Sequence, residues 1–419
     1  MTDMHARYLI IGSSHAGREA LAAIRMADPQ GRLVMLSRER HRPYSPTILP
    51  YVVSGRSDPR KVGLGSVAWF AENRAELVLD AQVVAVDADA RAVRLADGGC
   101  WTYDKLLLAT GAEPVVPPVE GLEGVRYHVL RTLDDALAIR ARAATARRAV
   151  VLGAGLVGMH AAETLAGAGL DVTVVEMRPH VLAEYFDPRA STLIRETFER
   201  HGTHMMMGRR VERAAGVETE ACRLGLDDGT ELEADLLLVA AGVRPALRML
   251  ADSGIATDKG ILVDTRMRTA RDGVWAAGDV AQAPGFPTGA PMVNGTLPEA
   301  VEQGRIAGMD MAGDDDLRPY LGGIPLNTYG FFGRHAVAVG AAAAPAGDGV
   351  EVVTDEGDGY CRIALKDNRL IGLAAIDRVM DAGILWRLIQ RRVDLGPVRD
   401  RFLSHPLETA RALMSRGWR

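Results

Sequence analysis

The sequence has few cysteines, few aromatic residues and no long apolar run. Cys100, Cys222 and Cys361 lie far apart in the 419-residue chain, so they form neither a CxxC pair nor a ligand cluster for an iron–sulfur centre. No apolar stretch reaches the roughly 20 residues that cross a bilayer, and we expect no membrane insertion. The chain runs from its first residues into an apolar strand without the pattern of a secretion signal, so we expect a cytoplasmic protein.

Neither strong charge nor a metal-ligand cluster is present. Lys and Arg number 49 against 54 Asp and Glu, and the net charge of −5 gives no general attraction to phosphate backbones. A nucleic-acid partner is therefore not expected. His201 and His204 form an H-x-x-H motif without a further His or Cys, and we interpret them as turn and strand residues rather than metal ligands. The length predicts about two to four globular domains.

What the sequence does contain is one pattern used twice. An apolar strand, a glycine turn, an Ala-rich helix, a second strand and an acid follow one another from Tyr8 and again from Ala149. This order is typical of the βαβ unit that binds dinucleotides. The sequence predicts an α/β fold with two Rossmann-like domains.

The first glycine turn departs from the usual fingerprint at one position. Residues Gly12–Gly17 read GSSHAG, so Ser14 stands where G-x-G-x-x-G has its middle glycine. Serine is small enough to leave much of the backbone accessible to a pyrophosphate at the start of the helix. After the predicted strand Leu33–Leu36, Glu39 can accept hydrogen bonds from ribose hydroxyls. Taken alone, Glu39 could equally be a solvent-exposed loop residue.

The second glycine turn is complete. Residues Gly153–Gly158 read GAGLVG and lead into a predicted helix Met159–Ala168. Glu176 follows the predicted strand Asp171–Val175, 23 residues after the first glycine of the turn, which is close to the spacing typical of a ribose-binding acid. Its carboxylate favours NAD over NADP because it repels a 2′-phosphate. Arg178 weakens this inference, since an arginine could pair with that phosphate.

Three small-residue turns complete a family resemblance. They are Ala109-Thr110-Gly111, Ala240-Ala241-Gly242 followed by Val243, and Ala277-Gly278-Asp279. With the two fingerprints, they resemble the pyridine-nucleotide–disulfide oxidoreductase superfamily over roughly Arg7 to Gly313. The resemblance implies that FAD is held by the first fingerprint, its acid and the Gly-Asp turn, and that NAD is held by the second. Motifs and resemblance together give these cofactor-binding candidates: Gly12, Ser14, Ala16, Gly17, Glu39, Arg40, Pro46, Thr47, Ala109, Thr110, Gly111, Gly153, Gly155, Leu156, Val157, Gly158, His160, Glu176, Gly242, Val243, Gly278, Asp279, Thr296 and Leu297.

The composition along the chain predicts how it is divided, since the Pro- and Gly-rich stretch Gly111–Gly121 is typical of a crossing between domains. We predict an FAD-binding domain in two parts, residues 1–117 and 245–320, interrupted by an NAD-binding domain, residues 118–244. Residues 321–419 are predicted to form a third, α+β interface domain. In the family such a domain often makes a dimer contact, so a homo-oligomer is compatible with the resemblance.

Two positions differ from relatives that carry a redox thiol or an acid near the nicotinamide. Thr47 lies where coenzyme A-disulfide reductases have their single Cys, so no thiolate can relay electrons there. His160 stands where many members have Glu, and it either tunes the position of the nicotinamide or is an ordinary helix residue.

Thr296 with Glu299 three residues on predicts a capping box at the start of a helix that ends near Met311. The resemblance adds that this helix points its positive end at the flavin.

These features predict an NAD(H) oxidoreductase that exchanges a hydride between nicotinamide and FAD. Such a transfer depends on alignment, so no catalytic side chain is required. The segment Pro43–Tyr51 (PYSPTILPY) resembles the flavoprotein subunits of phenylglyoxylate-type 2-oxoacid oxidoreductase complexes, which implies an iron–sulfur or ferredoxin-like partner. A stand-alone NADH oxidase or a ferredoxin or rubredoxin reductase is an alternative. A redox-sensing interaction protein that binds FAD and NADH is an alternative of another class.

Overall fold

The computed structural model describes residues 4–217 and 221–416, which form alternating strands and helices. In chain order the strands are β1 (His5–Ile11), β2 (Leu33–Leu36), β3 (Ala75–Val78), β4 (Val83–Asp87), β5 (Ala92–Leu95), β6 (Cys100–Leu108), β7 (Ala112–Pro114), β8 (Arg148–Leu152), β9 (Asp171–Glu176), β10 (His204–Met207), β11 (Val211–Gly216), β12 (Cys222–Leu226), β13 (Glu231–Ala234), β14 (Leu236–Val239), β15 (Val243–Pro245), β16 (Ile261–Leu262), β17 (Val274–Ala276), β18 (Ala281–Pro284), β19 (Pro291–Met292), β20 (Leu326–Phe331), β21 (Arg334–Gly340), β22 (Val350–Asp355), β23 (Tyr360–Lys366) and β24 (Arg369–Ile376). The helices are α1 (His15–Ala27), α2 (Leu49–Val53), α3 (Val67–Glu72), α4 (Leu133–Ala143), α5 (Leu156–Gly167), α6 (Pro188–Arg200), α7 (Leu297–Ala312), α8 (Ala382–Gln390), α9 (Arg399–Ser404) and α10 (Pro406–Arg416).

The chain forms two compact units, each built from separate segments. Unit 1 comprises the chain up to Ile48, Asp58–Glu113 and Val243–Ile324. Unit 2 comprises Leu49–Ser57, Pro114–Gly242 and the chain from Pro325 onward. The predicted α/β fold, with one dinucleotide-binding domain interrupted by another, is confirmed. The four-segment division by residue number stays a prediction. The C-terminal segment from Pro325 onward belongs to the same compact unit as the second βαβ unit.

Unit 1 is organised around one seven-stranded sheet. Its strand order is β3-β2-β1-β6-β5-β4, and β17 also pairs with β6. The strands β3, β2, β1, β6 and β17 are parallel neighbours. The apolar side chains of β1, β2 and β17 are buried, as expected where both faces of a parallel sheet are covered, whereas the edge strand β3 is only partly buried. Alternate residues of β1 serve the two faces: Tyr8 and Ile10 pack with α1 and α7, while Leu9 and Ile11 join the cluster on the other side.

The two helices on this sheet approach each other unusually closely. A Cβ atom added to Gly304 of α7 would lie 2.2 Å from the backbone oxygen of Ala16 in α1, and one added to Gly308 would lie 2.4 Å from that of Ala20. No side chain larger than hydrogen fits at either glycine without moving a backbone. The start of α1 is thereby held against the middle of α7.

Unit 2 contains a second parallel sheet and two antiparallel ones, the smaller of which is β11-β12-β13. The parallel sheet has the order β10-β9-β8-β14, as expected for the second βαβ unit. From Pro325 onward a five-stranded antiparallel sheet, β20-β21-β24-β23-β22, precedes the helices α8, α9 and α10. Asp381 caps α8 by accepting a hydrogen bond from the Ile384 N–H at 3.0 Å. No helix of the described residues is long and apolar enough to cross a membrane.

The prediction for helix α5 was wrong at its start. The helix begins at Leu156, three residues before the predicted Met159, and ends at Gly167. Gly155 is its N-cap, with an extended backbone at φ −76° and ψ 179°. The last part of the glycine fingerprint therefore lies inside the first turn of the helix, because a fingerprint glycine can cap a helix as well as form the turn.

Candidate functional site

Both glycine turns are built in the same way at their first glycine. Gly12 has φ +109° and Gly153 has φ +110°, a region that side chains rarely adopt. A Cβ on Gly12 would lie 2.1 Å from the carbonyl oxygen of Ala109, and one on Gly153 would lie 2.3 Å from that of Ala240. In each case the end of one parallel strand packs directly on the turn that follows its neighbour.

The last glycine of each fingerprint lets the start of the helix pack against the first glycine of the same turn. A Cβ on Gly17 would lie 2.0 Å from the backbone oxygen of Gly12, and the corresponding distance from Gly158 to Gly153 is also 2.0 Å. Only glycine allows this approach, which fixes the helix start next to the turn. The two helix N-termini therefore follow their strands at a tight corner, the arrangement that presents backbone N–H groups to a pyrophosphate.

The middle position shows why serine can replace glycine in the first turn. Ser14 is the N-cap of α1 with φ −81°, and Gly155 is the N-cap of α5 with φ −76°. Both values are ordinary for any residue, so the backbone does not require glycine there. The Ser14 side chain makes no capping hydrogen bond to the helix, and a Cβ on Gly155 would meet nothing within 4 Å. Both caps leave the helix N–H groups without a side-chain cap, as a bound phosphate needs.

The acids that follow the second strands are positioned by hydrogen bonds. Glu39 accepts one from the Tyr44 hydroxyl at 2.6 Å. Glu176 accepts one from the Ala154 N–H at 2.7 Å and another from the Arg178 N–H at 2.8 Å, which places its carboxylate beside the second turn. This is where a ribose-binding acid is required.

The Arg178 side chain, which weakened the inference for NAD, has an acidic partner. Its guanidinium donates to Glu184 at 3.0 Å, and both side chains are exposed. An exposed ion pair of this kind contributes little, so the preference for NAD rests on the Glu176 carboxylate, which repels a 2′-phosphate.

The predicted residue Thr47 is linked through Ser45 to His15 of α1 by a chain of hydrogen bonds. Ser45 Oγ lies 2.8 Å from His15 Nε2 and 2.7 Å from Thr47 Oγ1. Burial lowers the pKa of His15. Pro46 and Thr47 lie in one turn of 3-10 helix ending at Ile48. Sequence reasoning missed the link to His15, because nothing in the spacing of the residues indicates it.

The three cysteines are free, and none lies in the place of a redox thiol. Cys222 and Cys361 are buried, which raises the pKa of each thiol to about 11. Such thiols stay protonated and unreactive near neutral pH. Cys100 is exposed at the start of β6. In the described residues no group of three or more His, Cys, Asp or Glu could hold a metal ion.

The remaining predicted residues lie at strand ends and helix starts. Ala109 donates its N–H to Ile11 at 2.8 Å, and Thr110 donates its hydroxyl to the carbonyl of Ala246 at 3.4 Å. Ala16 is buried under α7, in contact with Gly304. Gly111 and Gly242 have positive φ, and Leu156 is the first residue of α5. The exposed residues among the candidates are Arg40, Val157, Val243 and Leu297.

His160 packs within unit 2. Its ring meets the Tyr329 ring edge-on, with centroids 4.7 Å apart. Burial lowers the pKa of His160 to about 4, so the imidazole is neutral at physiological pH. A role in positioning the nicotinamide stays a prediction.

The N-terminus of α7 lies beside the Gly-Asp turn. The Gly278 N–H donates to Gln303 Oε1 at 2.9 Å, and a Cβ on Gly295 would lie 3.6 Å from Asp279 Oδ1. Two polar atoms here, Thr296 Oγ1 and Asn294 Nδ2, are buried without a hydrogen-bond partner. Buried polar atoms in native proteins are nearly always hydrogen-bonded, so these two, next to the Gly-Asp turn, are available to a polar ligand. These residues fit FAD.

The predicted capping box at Thr296 was wrong. Thr296 is the N-cap of α7, but its side chain makes no capping bond. Glu299 turns into the protein instead, where it accepts hydrogen bonds from the Tyr320 hydroxyl and from the Ile324 N–H. The sequence pattern does not distinguish an acid that caps its own helix from one that a later segment covers.

Comparisons with known proteins agree with this geometry. Residues 6–304 match the family described as pyridine nucleotide-disulphide oxidoreductase. The chain is 50% identical to the NADH-dependent phenylglyoxylate dehydrogenase subunit epsilon of Aromatoleum evansii, over 99% of both chains. It is 30% identical to a rubredoxin-NAD(+) reductase of Pseudomonas putida, over 74% of this chain and 81% of that protein.

Among solved structures, a ferredoxin reductase from Rhodopseudomonas palustris superimposes with a TM-score of 0.80 at 29% identity, over 89% of this chain and 91% of its own. The resemblance inferred from the motifs is thus confirmed. Two glycine turns of one design and a polar site at α7, together with these similarities, show that the chain is an FAD- and NAD(H)-dependent oxidoreductase without a redox-active disulfide. It belongs to the pyridine nucleotide-disulphide oxidoreductase family.

Proposed function

We propose that this protein is the NAD(H)-linked flavoprotein component of a 2-oxoacid oxidoreductase system and that it exchanges electrons with an iron–sulfur partner. The observation that carries the proposal is Thr47 in the place of a redox thiol, in a chain similar over its whole length to a subunit of a phenylglyoxylate dehydrogenase. Without that thiol, electrons cannot leave through a disulfide. We also infer a cytoplasmic location, where NADH is available.

In this proposal, unit 1 holds FAD and unit 2 holds NAD. FAD is bound through the first glycine turn, the ribose acid Glu39, the strand end at Ala109, the Gly278-Asp279 turn and Thr296. NAD is bound through Gly153–Gly158 and Glu176. When bound, FAD accepts a hydride from NADH and can pass on electrons singly. The protein's own residues bind and align the two cofactors, and the lowered pKa of His160 keeps that side chain neutral.

Replacing Glu176 by alanine is expected to weaken NADH binding by about 1–3 kcal/mol, because hydrogen bonds to a charged group are lost. This corresponds to a rise of roughly 5- to 150-fold in KM for NADH. Steady-state kinetics with ferricyanide as acceptor measure the change. Asp171→Ala, which removes an exposed acid from the other end of β9, is the matched control and should leave KM unchanged. A wild-type protein that prefers NADPH would contradict the assignment of Glu176.

Replacing all three cysteines by serine is expected to leave the reduction of bound FAD by NADH unchanged in rate. The two buried thiols have pKa values near 11 and the exposed one lies at the start of β6, so none supplies a thiolate to the flavin. Stopped-flow absorbance of the flavin under anaerobic conditions measures this rate. Loss of flavin reduction in a folded variant would reveal a redox thiol.

The C-terminal segment supplies a candidate docking surface for the partner. Residues 381–419 contain eight arginines and four acids in a chain of net charge −5. Arg391 and Arg392, directly after α8, are exposed. Ferredoxin-like partners are commonly acidic, and charge complementarity mainly raises the rate of encounter.

Replacing Arg391 and Arg392 by glutamate is expected to slow electron transfer to an acidic ferredoxin sharply, and more so at low salt. Reduction of the bound FAD by NADH should not change. The double lysine variant keeps the charge and is the control. Equal rates of electron transfer in all variants at every ionic strength would show that this segment is not part of the docking site.

The proposal as a whole is tested by co-purification and by acceptor assays. Purified protein with NADH should reduce an added iron–sulfur subunit, and the complex should be recovered from cells with thiamine-diphosphate and ferredoxin-type subunits. A protein that reduces rubredoxin or oxygen efficiently and associates with no such subunit would be a stand-alone reductase or oxidase. The 30% identity to a rubredoxin-NAD(+) reductase supports this second candidate. Negligible turnover with every acceptor would instead indicate a redox-sensing protein that binds FAD and NADH.

A further inference from the structure

A network of buried polar side chains lies under the first turns of α7. Glu299, Gln303 and Tyr320 are exposed by 1%, 1% and 3%. The Tyr320 hydroxyl donates to one oxygen of Glu299, and the Ile324 N–H donates to the other at 3.1 Å. The amide of Gln303 donates to the Tyr320 oxygen at 3.3 Å and accepts the Gly278 N–H at 2.9 Å. Hydrogen bonds thus run without a break from Gly278 to Glu299.

The charge of Glu299 has no cation to balance it within this network. The titratable groups that act on it are Glu302 on the same helix and Tyr320 from the segment after the helix, and neither is positive. Two hydrogen bonds stabilise the carboxylate, but burial outweighs them and raises the pKa of Glu299 to about 7. The protonated and charged forms are therefore close in free energy near neutral pH.

The network ends at the residues that we assign to FAD. Gly278 belongs to the Gly-Asp turn, and Thr296, whose buried hydroxyl has no partner, directly precedes α7. A charge that appears on a ligand here acts on Glu299 through protein rather than water, so the interaction is only weakly screened. A small change in charge can then decide which form of Glu299 is populated.

We propose that Glu299 is a proton-loading residue, which takes up a proton from water when the cofactor beside Gly278 and Thr296 gains negative charge and releases it when that charge leaves. The proposal rests on the proposed FAD site. Hydride transfer brings two electrons and one proton to the flavin, so the site gains one negative charge. The Glu299 carboxylate binds one proton, forming its O–H bond, and the charge of the site is restored. When the two electrons leave, the proton that came with the hydride is released as well, the Glu299 O–H bond breaks, and both protons return to water.

Tyr320 and Gln303 are positioning residues in this scheme. The Tyr320 hydroxyl stabilises the carboxylate form, since it donates to it, and Gln303 orients that hydroxyl while it binds the Gly278 backbone. Together they set the pH at which Glu299 responds. They also provide the variants that separate a proton-loading role from a merely structural one.

The test is a potentiometric titration of the FAD-loaded protein at a series of pH values around 7. The wild type is expected to take up one more proton per two electrons than Glu299→Gln, which cannot titrate. Glu302→Gln, on the same helix, is the matched control: it should keep the extra proton, at slightly lower pH, because a like charge that raises the pKa of Glu299 is removed. In Tyr320→Phe the extra proton should appear at higher pH, because a hydrogen bond that favours the carboxylate is lost.

Equal proton uptake by FAD-loaded wild type and Glu299→Gln would overturn the proposal while leaving the FAD site intact. Failure of the wild type to bind FAD would instead contradict the proposed function. If Glu299→Gln does not fold, infrared difference spectra of the wild type and Tyr320→Phe decide: the wild type should gain a protonated-carboxyl band on reduction, and this band should be displaced in Tyr320→Phe. Absence of any such band would overturn the proposal.

Discussion

Replacing Gly304 by alanine is expected to lower the free energy of unfolding of unit 1 by about 3 kcal/mol, which is the upper end of the usual cost of overpacking a core. The same replacement is expected to weaken the binding of FAD. The new methyl group would lie 2.2 Å from the backbone oxygen of Ala16, so α1 or α7 must move. Because Ala16 lies in the first turn of α1, that movement displaces the glycine turn proposed to bind the pyrophosphate. Thermal unfolding, followed by flavin fluorescence as FAD is released, measures both effects.

Gly167→Ala is the matched control for Gly304→Ala. Gly167 is also helical, at the end of α5, and a Cβ there would meet nothing within 4 Å. Its replacement should be neutral or stabilising by up to about 1 kcal/mol, as expected for Gly to Ala in an open helix. If the two variants unfolded at the same temperature, the close packing of α1 on α7 would be contradicted.

Replacing Asp310 by alanine is expected to cost about 3–5 kcal/mol, because it removes the shared acceptor of a buried cluster. The Asp310 side chain is 1% exposed and accepts hydrogen bonds from the Trp275 indole at 2.8 Å, from Arg268 at 2.9 Å and from Arg266 at 3.1 Å. Both arginines are partly exposed and can turn to water, which favours the lower end of this range. Chemical denaturation measures the loss, and Asp315→Ala, an exposed acid after α7, is the control.

The contribution of Asp310 should also depend on pH. Burial alone would raise the pKa of Asp310, but the hydrogen bonds from Arg268, Trp275 and Arg266 outweigh it and hold the pKa below its ordinary value. The folded state therefore favours the charged form, and the stabilisation is complete above the unfolded-state pKa of about 3.9. It is lost as the pH falls through the lower folded-state pKa. A stability difference between wild type and Asp310→Asn that grew with acidity would contradict this assignment.

The parts of the site that follow from backbone geometry could be predicted from the sequence. The positions of Gly12 and Gly153 require positive φ, and Gly17 and Gly158 require close approach, so residue type alone carries the information. The predicted strands Leu33–Leu36 and Asp171–Val175 match β2 and β9 to within one residue, since a parallel strand buried on both faces is a short apolar run.

Features that depend on tertiary contacts could not be predicted. Glu299 was expected to cap its helix, but Tyr320 and Ile324 bind it from a later segment. The start of α5 depends on whether a fingerprint glycine caps the helix, which the motif does not specify. His15, Ser45 and Thr47 are brought together by the fold, without any periodicity that indicates it.

The pairing of β6 has a consequence for how the protein is made. The first half of β6 pairs with β5, but Leu106–Leu108 pair with β17, which follows more than 150 residues later in the chain. During synthesis this edge of the sheet stays open, and the face that α7 will cover stays exposed, until unit 2's parallel sheet has left the ribosome. Contacts of such long sequence separation form slowly, and open edges invite association with other chains. The nascent first third of the chain is therefore expected to need protection by a chaperone.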